Sequence, residues 1–553
     1  MLKIEVSNLK KYYGDRLILA IDNLKMYAGD RIGIVGLNGS GKTTLMNILS
    51  QSSKADQGVV NLYGQHSYIT QLHDPKGDVI NPKLAGKFNI IDKNKEEIKF
   101  LSGGEKTRLK IAQGLSKNID ILFADEPTCD LDMEGISILE EMLKDFKGTL
   151  VLISHDRHLL DSLCNKIIEV ENGTVKEYSG NYSNYKHQKK MELDRKRFEY
   201  NQYIKEKRKL ENAISDRKHR SDTMKKTPSR MGISEARLHR RSTTAKQAKL
   251  YQATKSFETR IEKLDKKEKP KEYNKTQIDI PAIKYLHSKV IISCENLTKS
   301  FNSNTLFTDI NFQIFNCDKV ALIGNNGTGK TTLVRMILSL EKGIKIASKA
   351  KIAYFSQQLE ILDENQTILA NVLKDSIHSE TFVRILLARL LFRNKDVYKK
   401  VSVLSGGERV KVAFAKIFVQ NINLIILDEP TNFLDVESIE ALEEVLDDYE
   451  GTLLFISHDR RFIDKIADRI LILEDKQLVD FSGNYSEYIQ SLNNSVYNKN
   501  EEYAEKLLLL ENRLSEITSR LSMPSKNDNI EELDKEFKHT VKEINKVKKL
   551  LEI

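Results

Sequence analysis

The chain has 553 residues, 40% of them apolar, with eight prolines and no tryptophan; at roughly 100–200 residues per domain this is a folded, helix-rich protein of several units. No stretch approaches the ~20 apolar residues of a membrane span, and residues 1–11 form an amphipathic strand start rather than an apolar leader. The net charge of +9 is uneven: Gln188–Glu272 holds 27 Lys and Arg against 13 Asp and Glu, a local +14 that leaves −5 for the rest and points to a polyanionic partner.

In chain order, Ile32–Val35 is a short apolar run ending at a glycine, of the kind that forms a buried parallel strand. It opens GLNGSGKTT, Gly36–Leu37–Asn38–Gly39–Ser40–Gly41–Lys42–Thr43–Thr44. In such a loop the glycines let backbone N–H groups reach phosphates at a helix N-terminus. Lys42 would meet the β- and γ-phosphates and Thr43 would hold Mg2+. Next comes Leu101–Glu105, LSGGE, in which Ser102, Gly103 and Gly104 can close on a phosphate at a helix start; a capping box is the purely structural alternative. The apolar strand Ile121–Ala124 delivers Asp125 and Glu126, an aspartate for the metal and a glutamate to polarise water, and Leu150–Ile153 precedes His155.

Helical spacing then takes over. Asn181 to about Asp222 reads as one long helix, Thr227, Pro228, Ser229 and Gly232 break it, and a second helix runs from about Glu235 to Lys269 with Leu250, Phe257, Ile261 and Leu264 along one seam. Together they predict an antiparallel hairpin. A solvated spacer would not need eleven Lys and Arg against two acids between Arg217 and Lys249.

After the hairpin the first part repeats. Val320–Ile323 precedes GNNGTGKTT, Gly324–Asn325–Asn326–Gly327–Thr328–Gly329–Lys330–Thr331–Thr332, at an offset of 288. LSGGE returns at Ser405, Gly406 and Gly407, the acidic pair at Asp428 and Glu429, and the histidine at His458, all at an offset of 303. About fifteen residues are therefore missing from the first copy, and two duplicated domains account for the pattern. Recurrence in register decides for chemistry over accidental turns. The tail, with Leu510, Leu514, Ile517 and Leu521 before Pro524 and Leu533, Phe537, Val541, Ile544, Val547 and Leu551 after it, predicts a second, smaller hairpin. Cys129, Cys164, Cys294 and Cys317 have no CxxC spacing, which argues against a zinc module or a disulfide framework and fits the cytosol.

These motifs resemble the ABC ATPase superfamily, and two such cassettes joined by a basic helical linker, with Lys226–Arg237 at its turn, resemble the ABC-F family of ribosome-binding factors. The resemblance implies an α/β fold: cassettes over 1–185 and 286–490, a linker over 186–285 with its tip near 223–237, and a C-terminal helical extension over 491–553. It implies ATP hydrolysis with Mg2+ at two composite sites. One joins Lys42, Asp125, Glu126 and His155 to Ser405–Gly407; the other joins Lys330, Asp428, Glu429 and His458 to Ser102–Gly104. Tyr13 and Phe301 match the aromatic that stacks on adenine, and Gln71 and Gln357 match the glutamine that senses metal and water. The asparagine usual after the acidic pair is kept at Asn432, while the first copy has Asp130 there. The short first cassette, the long hairpin and the C-terminal extension look most like the antibiotic-resistance group acting against lincosamides, pleuromutilins and streptogramin A. For such a protein the expected partners are large-subunit rRNA and P-site tRNA, with no membrane, in a cytoplasmic monomer whose cassettes pair with each other. A housekeeping translation factor and the ATPase subunit of an exporter are the alternatives.

Overall fold

The computed structural model describes residues 1–70, 86, 103–116, 119–224, 233–269, 288–301, 304–356, 361–392, 394–522 and 530–550. The chain divides into two compact units, with Gly103–Arg108 and Cys129–Ile138 grouped with the second; the elements are given in chain order, under the unit that holds most of each.

The first unit opens with the hairpin β1 (Leu2–Tyr13) and β2 (Arg16–Tyr27), followed by β3 (Arg31–Val35), α1 (Lys42–Leu49), β4 (Gln57–Leu62) and β5 (His66–Ile69). Strand β1 alternates buried Ile4 and Val6 with more exposed neighbours, the period-two pattern of a sheet covered on one face. It pairs antiparallel with both β2 and β4. Further along come α2 (Gly103–Leu115), β6 (Ile121–Asp125), α3 (Met133–Asp145), β7 (Thr149–Ile153), α4 (Arg157–Leu163), β8 (Lys166–Glu171) and β9 (Thr174–Ser179). A six-stranded sheet in the order β5-β6-β7-β3-β8-β9 carries the core, parallel except at its β9 edge. The apolar runs predicted as buried strands are buried throughout in β6 and β7.

Two helices leave this sheet. The first, α5 (Tyr182–Met224), has 43 residues, about 65 Å at ~1.5 Å per residue. Its partner is α6 (Ile233–Lys263). Their contacts run antiparallel: Arg217 lies 4.1 Å over the Phe257 ring, Lys218 meets Glu258 at 3.2 Å, and Glu206 meets Arg260 at 3.8 Å. The predicted break at Thr227–Gly232 lies outside the described residues.

The second unit repeats the plan. Strands β10 (Val290–Phe301), β11 (Asn304–Phe315) and β13 (Ile344–Ile346) form the small sheet. The large one has the order β14-β15-β16-β12-β17-β18, built from β12 (Lys319–Ile323), β14 (Ile352–Phe355), β15 (Leu424–Asp428), β16 (Thr452–Ile456), β17 (Arg469–Glu474) and β18 (Gln477–Ser482). Its helices are α7 (Lys330–Leu338), α8 (Ile368–Lys374), α9 (Glu380–Arg389), α10 (Gly406–Phe418), α11 (Val436–Asp447) and α12 (Arg460–Ile466). The chain closes with α13 (Tyr485–Ser522) and α14 (Ile530–Leu550), which bury Ile517, Leu533, Ile544 and Val547. Among the described residues no helix is long and apolar enough to cross a membrane.

Candidate active sites

Sheet register assembles each site. Ile153 of β7 lies opposite Ile34 of β3 and opposite Asp125 of β6. The residues that follow these three strands, Gly36, Glu126 and His155, therefore emerge at one carboxyl edge, where open α/β sheets bind ligands. The second unit matches: Ile456 of β16 pairs with Leu322 and with Asp428.

At the loop after β3, Gly36 has φ 152°, and a Cβ there would come within 2.4 Å of the Val170 carbonyl oxygen. Only glycine fits that close approach. Gly324 repeats it against the Leu473 carbonyl, also at 2.4 Å. The lysine of each loop is buried and folds back over it. Lys42 Nζ donates to the Gly36 and Leu37 carbonyls at 2.8 and 3.2 Å, and Lys330 Nζ donates to those of Gly324 and Asn325 at 2.8 and 3.0 Å. A phosphate would offer either ammonium a stronger, charged acceptor.

Glu126 and Glu429 stand just past their strands with φ 49° and 51°, in the left-handed region that costs a non-glycine residue energy. Each still continues the sheet ladder, its N–H donating to the carbonyl of Ile153 or Ile456. His155 N donates to Glu126 Oε2 at 3.2 Å and its Nε2 lies 3.1 Å from Oε1; His458 Nε2 lies 3.4 Å from Glu429 Oε1. The histidines are set by a local device. Asp156 and Asp459 cap α4 and α12, each accepting two backbone N–H bonds. Burial pushes Glu126 up to about 7 against the pull of Lys42, and likewise pushes Glu429 to about 7 against Lys330. It raises Asp125 to about 6, helped by the Glu126 charge. Burial and then Lys330 drive His458 down to about 4, so this imidazole is neutral at pH 7. A buried glutamate beside a neutral histidine can take a proton from water.

The metal-holding residues fit a small hard cation. Asp125 Oδ1 is buried with no hydrogen-bond partner, and Thr331 Oγ1 lies 3.4 Å from Asp428 Oδ1. Carboxylate and hydroxyl oxygens of this kind suit Mg2+ beside a phosphate. Tyr13 and Phe301 are exposed at the ends of β1 and β10 with a lysine 5.8 and 5.9 Å from the ring, free to stack on a base. Ser405 caps α10 in a capping box with Glu408, so the structural alternative holds in the second copy, alongside two glycines at a helix start. Ser102, Gln71 and Gln357 lie outside the described residues.

Two points differ from the sequence reading. Asp130 does not stand opposite Asn432: Asp130 and Phe433 share the left-handed conformation, φ 62° and 65°. Cys129, at the same offset of 303 as the acidic pair and the histidine, is therefore the counterpart of Asn432. The reading also missed Tyr68 and Tyr354, whose hydroxyls lie 3.5 Å from Asp125 and Asp428. Their recurrence at an offset of 286 is the signal that could have found them.

A glycine phosphate loop, a strand-end acidic pair with its histidine, and a signature helix, all present twice, define a protein with two ATP-binding cassettes. Residues 19–129 and 307–432 match the family model described as "ABC transporter". The chain is 34% identical to the erythromycin resistance ATP-binding protein MsrA of Staphylococcus epidermidis, over 82% of this chain and 93% of that protein. It is 32% identical to the ribosome protection protein VmlR of Bacillus subtilis, over 93% and 92%. A solved RNase-L inhibitor shares the fold at TM-score 0.58 and 20% identity, covering 88% of this chain and 93% of that one. The chain belongs to the ABC-F family.

Proposed function

We propose that this chain hydrolyses ATP with Mg2+ and uses the cycle on the ribosome, protecting it from antibiotics that act at the peptidyl-transferase centre. The observation that carries the reading is the pair of buried glutamates, each held at a strand end by its histidine, in a chain akin over most of its length to a ribosome protection protein. Lys42 and Lys330 bind the phosphates. Thr43, Asp125 and Gln71 hold Mg2+ in one site, and Thr331, Asp428 and Gln357 hold it in the other. Glu126 and Glu429 accept the proton of the attacking water, and the bound metal supplies charge neutralisation at the phosphates. The signature serines and glycines, Ser102–Gly104 and Ser405–Gly407, bind phosphate.

The organisation proposed is a cassette over 1–185, linker over 186–285, cassette over 286–490 and extension over 491–553, acting as a cytoplasmic monomer. The linker meets rRNA through its basic side chains, mostly at the backbone, and its tip, 223–237, approaches P-site tRNA. The test measures ATP turnover, co-sedimentation with ribosomes, and drug susceptibility of cells expressing the chain. Ribosome binding with unchanged susceptibility to lincosamides, pleuromutilins and streptogramin A would leave a general translation role in place of resistance. Absence of ribosome binding would refute the reading.

A further inference from the structure

The two cassettes hold the helix that leaves them in different ways. Both share one contact. Ser183 N donates to Asp161 of α4, and Ser486 N donates to Asp464 of α12, each at 2.7 Å. The first unit adds a second contact. Glu169 of β8 is 5% exposed and accepts from the Tyr185 hydroxyl at 2.7 Å, from the Tyr178 hydroxyl at 3.2 Å and from Lys189 Nζ. The Tyr178 and Tyr185 rings meet edge-on, with centroids 4.9 Å apart. Lys176 and Glu192 pair just outside. Burial, then the Glu169 charge, raises the pKa of the Tyr178 hydroxyl, so it donates rather than ionises.

The repeat supplies the control. At the offset of 303, Glu169, Tyr178 and Lys189 become Ile472, Phe481 and Leu492; only Tyr185 is kept, as Tyr488. There the ring of Tyr488 meets Phe481, 5.5 Å between centroids, and Ile472 is buried in the apolar core. The polar clamp therefore belongs to the copy whose outgoing helix is the basic arm α5. A carboxylate at a buried site is expensive unless fully partnered, so three donors converging on it form a site with one preferred arrangement. Its location matters as much. Glu169 pairs in register with Val35, the last residue of the phosphate-loop strand, and the next residue, Val170, presents the carbonyl against which Gly36 closes. Asp161, the other anchor, lies on the helix that follows His155.

We propose that Glu169 is a positioning residue that clamps the root of the arm to the strand beside the phosphate loop, so that occupancy of the first cassette's site is transmitted to α5. This rests on the nucleotide-binding reading above. Glu169 touches none of the residues assigned to phosphate, metal or water.

The test removes the carboxylate together with its lysine, Glu169→Ile with Lys189→Leu, the residues that the second copy has at those two positions, which leaves no buried charge without its partner. Backbone amide exchange over residues 182–191 is followed in the full chain with and without ATP and Mg2+. In the wild type, ATP slows exchange at the root by about tenfold, the scale of one charge-assisted hydrogen bond gained or lost. In the double variant that response disappears, while basal ATP turnover and melting temperature stay near wild type. Stimulation of turnover by added ribosomes falls with it. Glu169→Gln keeps a carbonyl acceptor for one tyrosine and offers its NH2 to the other hydroxyl, without the ion pair, and it is expected to retain part of the response; it supplies the comparison should the double variant melt early. An ATP response of wild-type size in both variants would overturn the clamp, as would a wild-type root indifferent to ATP. Loss of ATP turnover in the wild-type chain itself would instead refute the functional reading.

Discussion

The most demanding consequence of the site geometry concerns Glu126→Gln combined with Glu429→Gln. Burial lifts each carboxyl from an ordinary 4.5 to about 7. The folded state thus holds that proton more tightly than the unfolded chain does. Stability is therefore greatest below pH 4.5 as far as these groups are concerned, and is lost as pH rises through 7. At about 1.4 kcal/mol per tenfold in the proton equilibrium, each glutamate costs the folded state about 3 kcal/mol above pH 7. Glutamine carries no such cost. The double variant should melt higher than wild type at pH 8, by about 2–4 °C per kcal/mol for cassettes of this size. The difference should shrink toward zero at pH 5. Over the same range its ATP turnover should fall by about two to four orders of magnitude, the scale of general-base loss. Thermal melts at both pH values and a phosphate-release assay check the two halves. A melting difference independent of pH would refute the burial argument, and wild-type turnover would refute the catalytic assignment.

Gly36→Ala should abolish nucleotide binding at the first phosphate loop, because its Cβ would meet the Val170 carbonyl at 2.4 Å; titration with a fluorescent ATP analogue reads this directly, and unaltered affinity would mean the loop has another way to close. Ribosome binding should weaken steeply with salt, since the net +14 of residues 188–272 displaces counterions; co-sedimentation across a salt series should give a negative log–log slope, and a flat line would reduce the hairpin to a spacer. Replacing residues 226–234 with a short glycine-serine turn should leave basal turnover near wild type and remove drug protection, as measured by susceptibility of expressing cells; resistance that survives intact would make the tip a connector.

The cassettes were legible because duplicated motifs constrain one another. An apolar run before a glycine loop, an acidic pair and a histidine can sit in register only if the strands are parallel neighbours, and β3, β6 and β7 are. The hairpin was legible from the seam of Leu250, Phe257, Ile261 and Leu264, all of them half-buried. What escaped was chemistry without a motif. Tyr68 reaches Asp125 from a strand whose sequence, HSYI, reads as ordinary β-structure. Glu169 reads as a surface acid in KIIEVE until the fold brings Tyr178, Tyr185 and Lys189 onto it. The counterpart of Asn432 is Cys129 both by the offset of 303 and by backbone handedness, which pairs Asp130 with Phe433.

The order of strands in the large sheet of the first unit also governs how the chain is made. Strand β3, Arg31–Val35, has β7 and β8 as its only neighbours in that sheet, and these end at Ile153 and Glu171. During synthesis at ~5–20 residues per second, an apolar strand already translated therefore waits on the order of ten seconds for its partners. Pairings this distant in sequence close slowly. The helices of the arm need only local contacts and form as fast as they emerge. A slow codon run placed after residue 171 would give the sheet time to close before the basic arm follows it out, and one placed between β3 and β7 would lengthen the exposure of Ile32 and Ile34. Yield of folded protein from synonymous variants of the same chain is therefore expected to depend on where translation pauses.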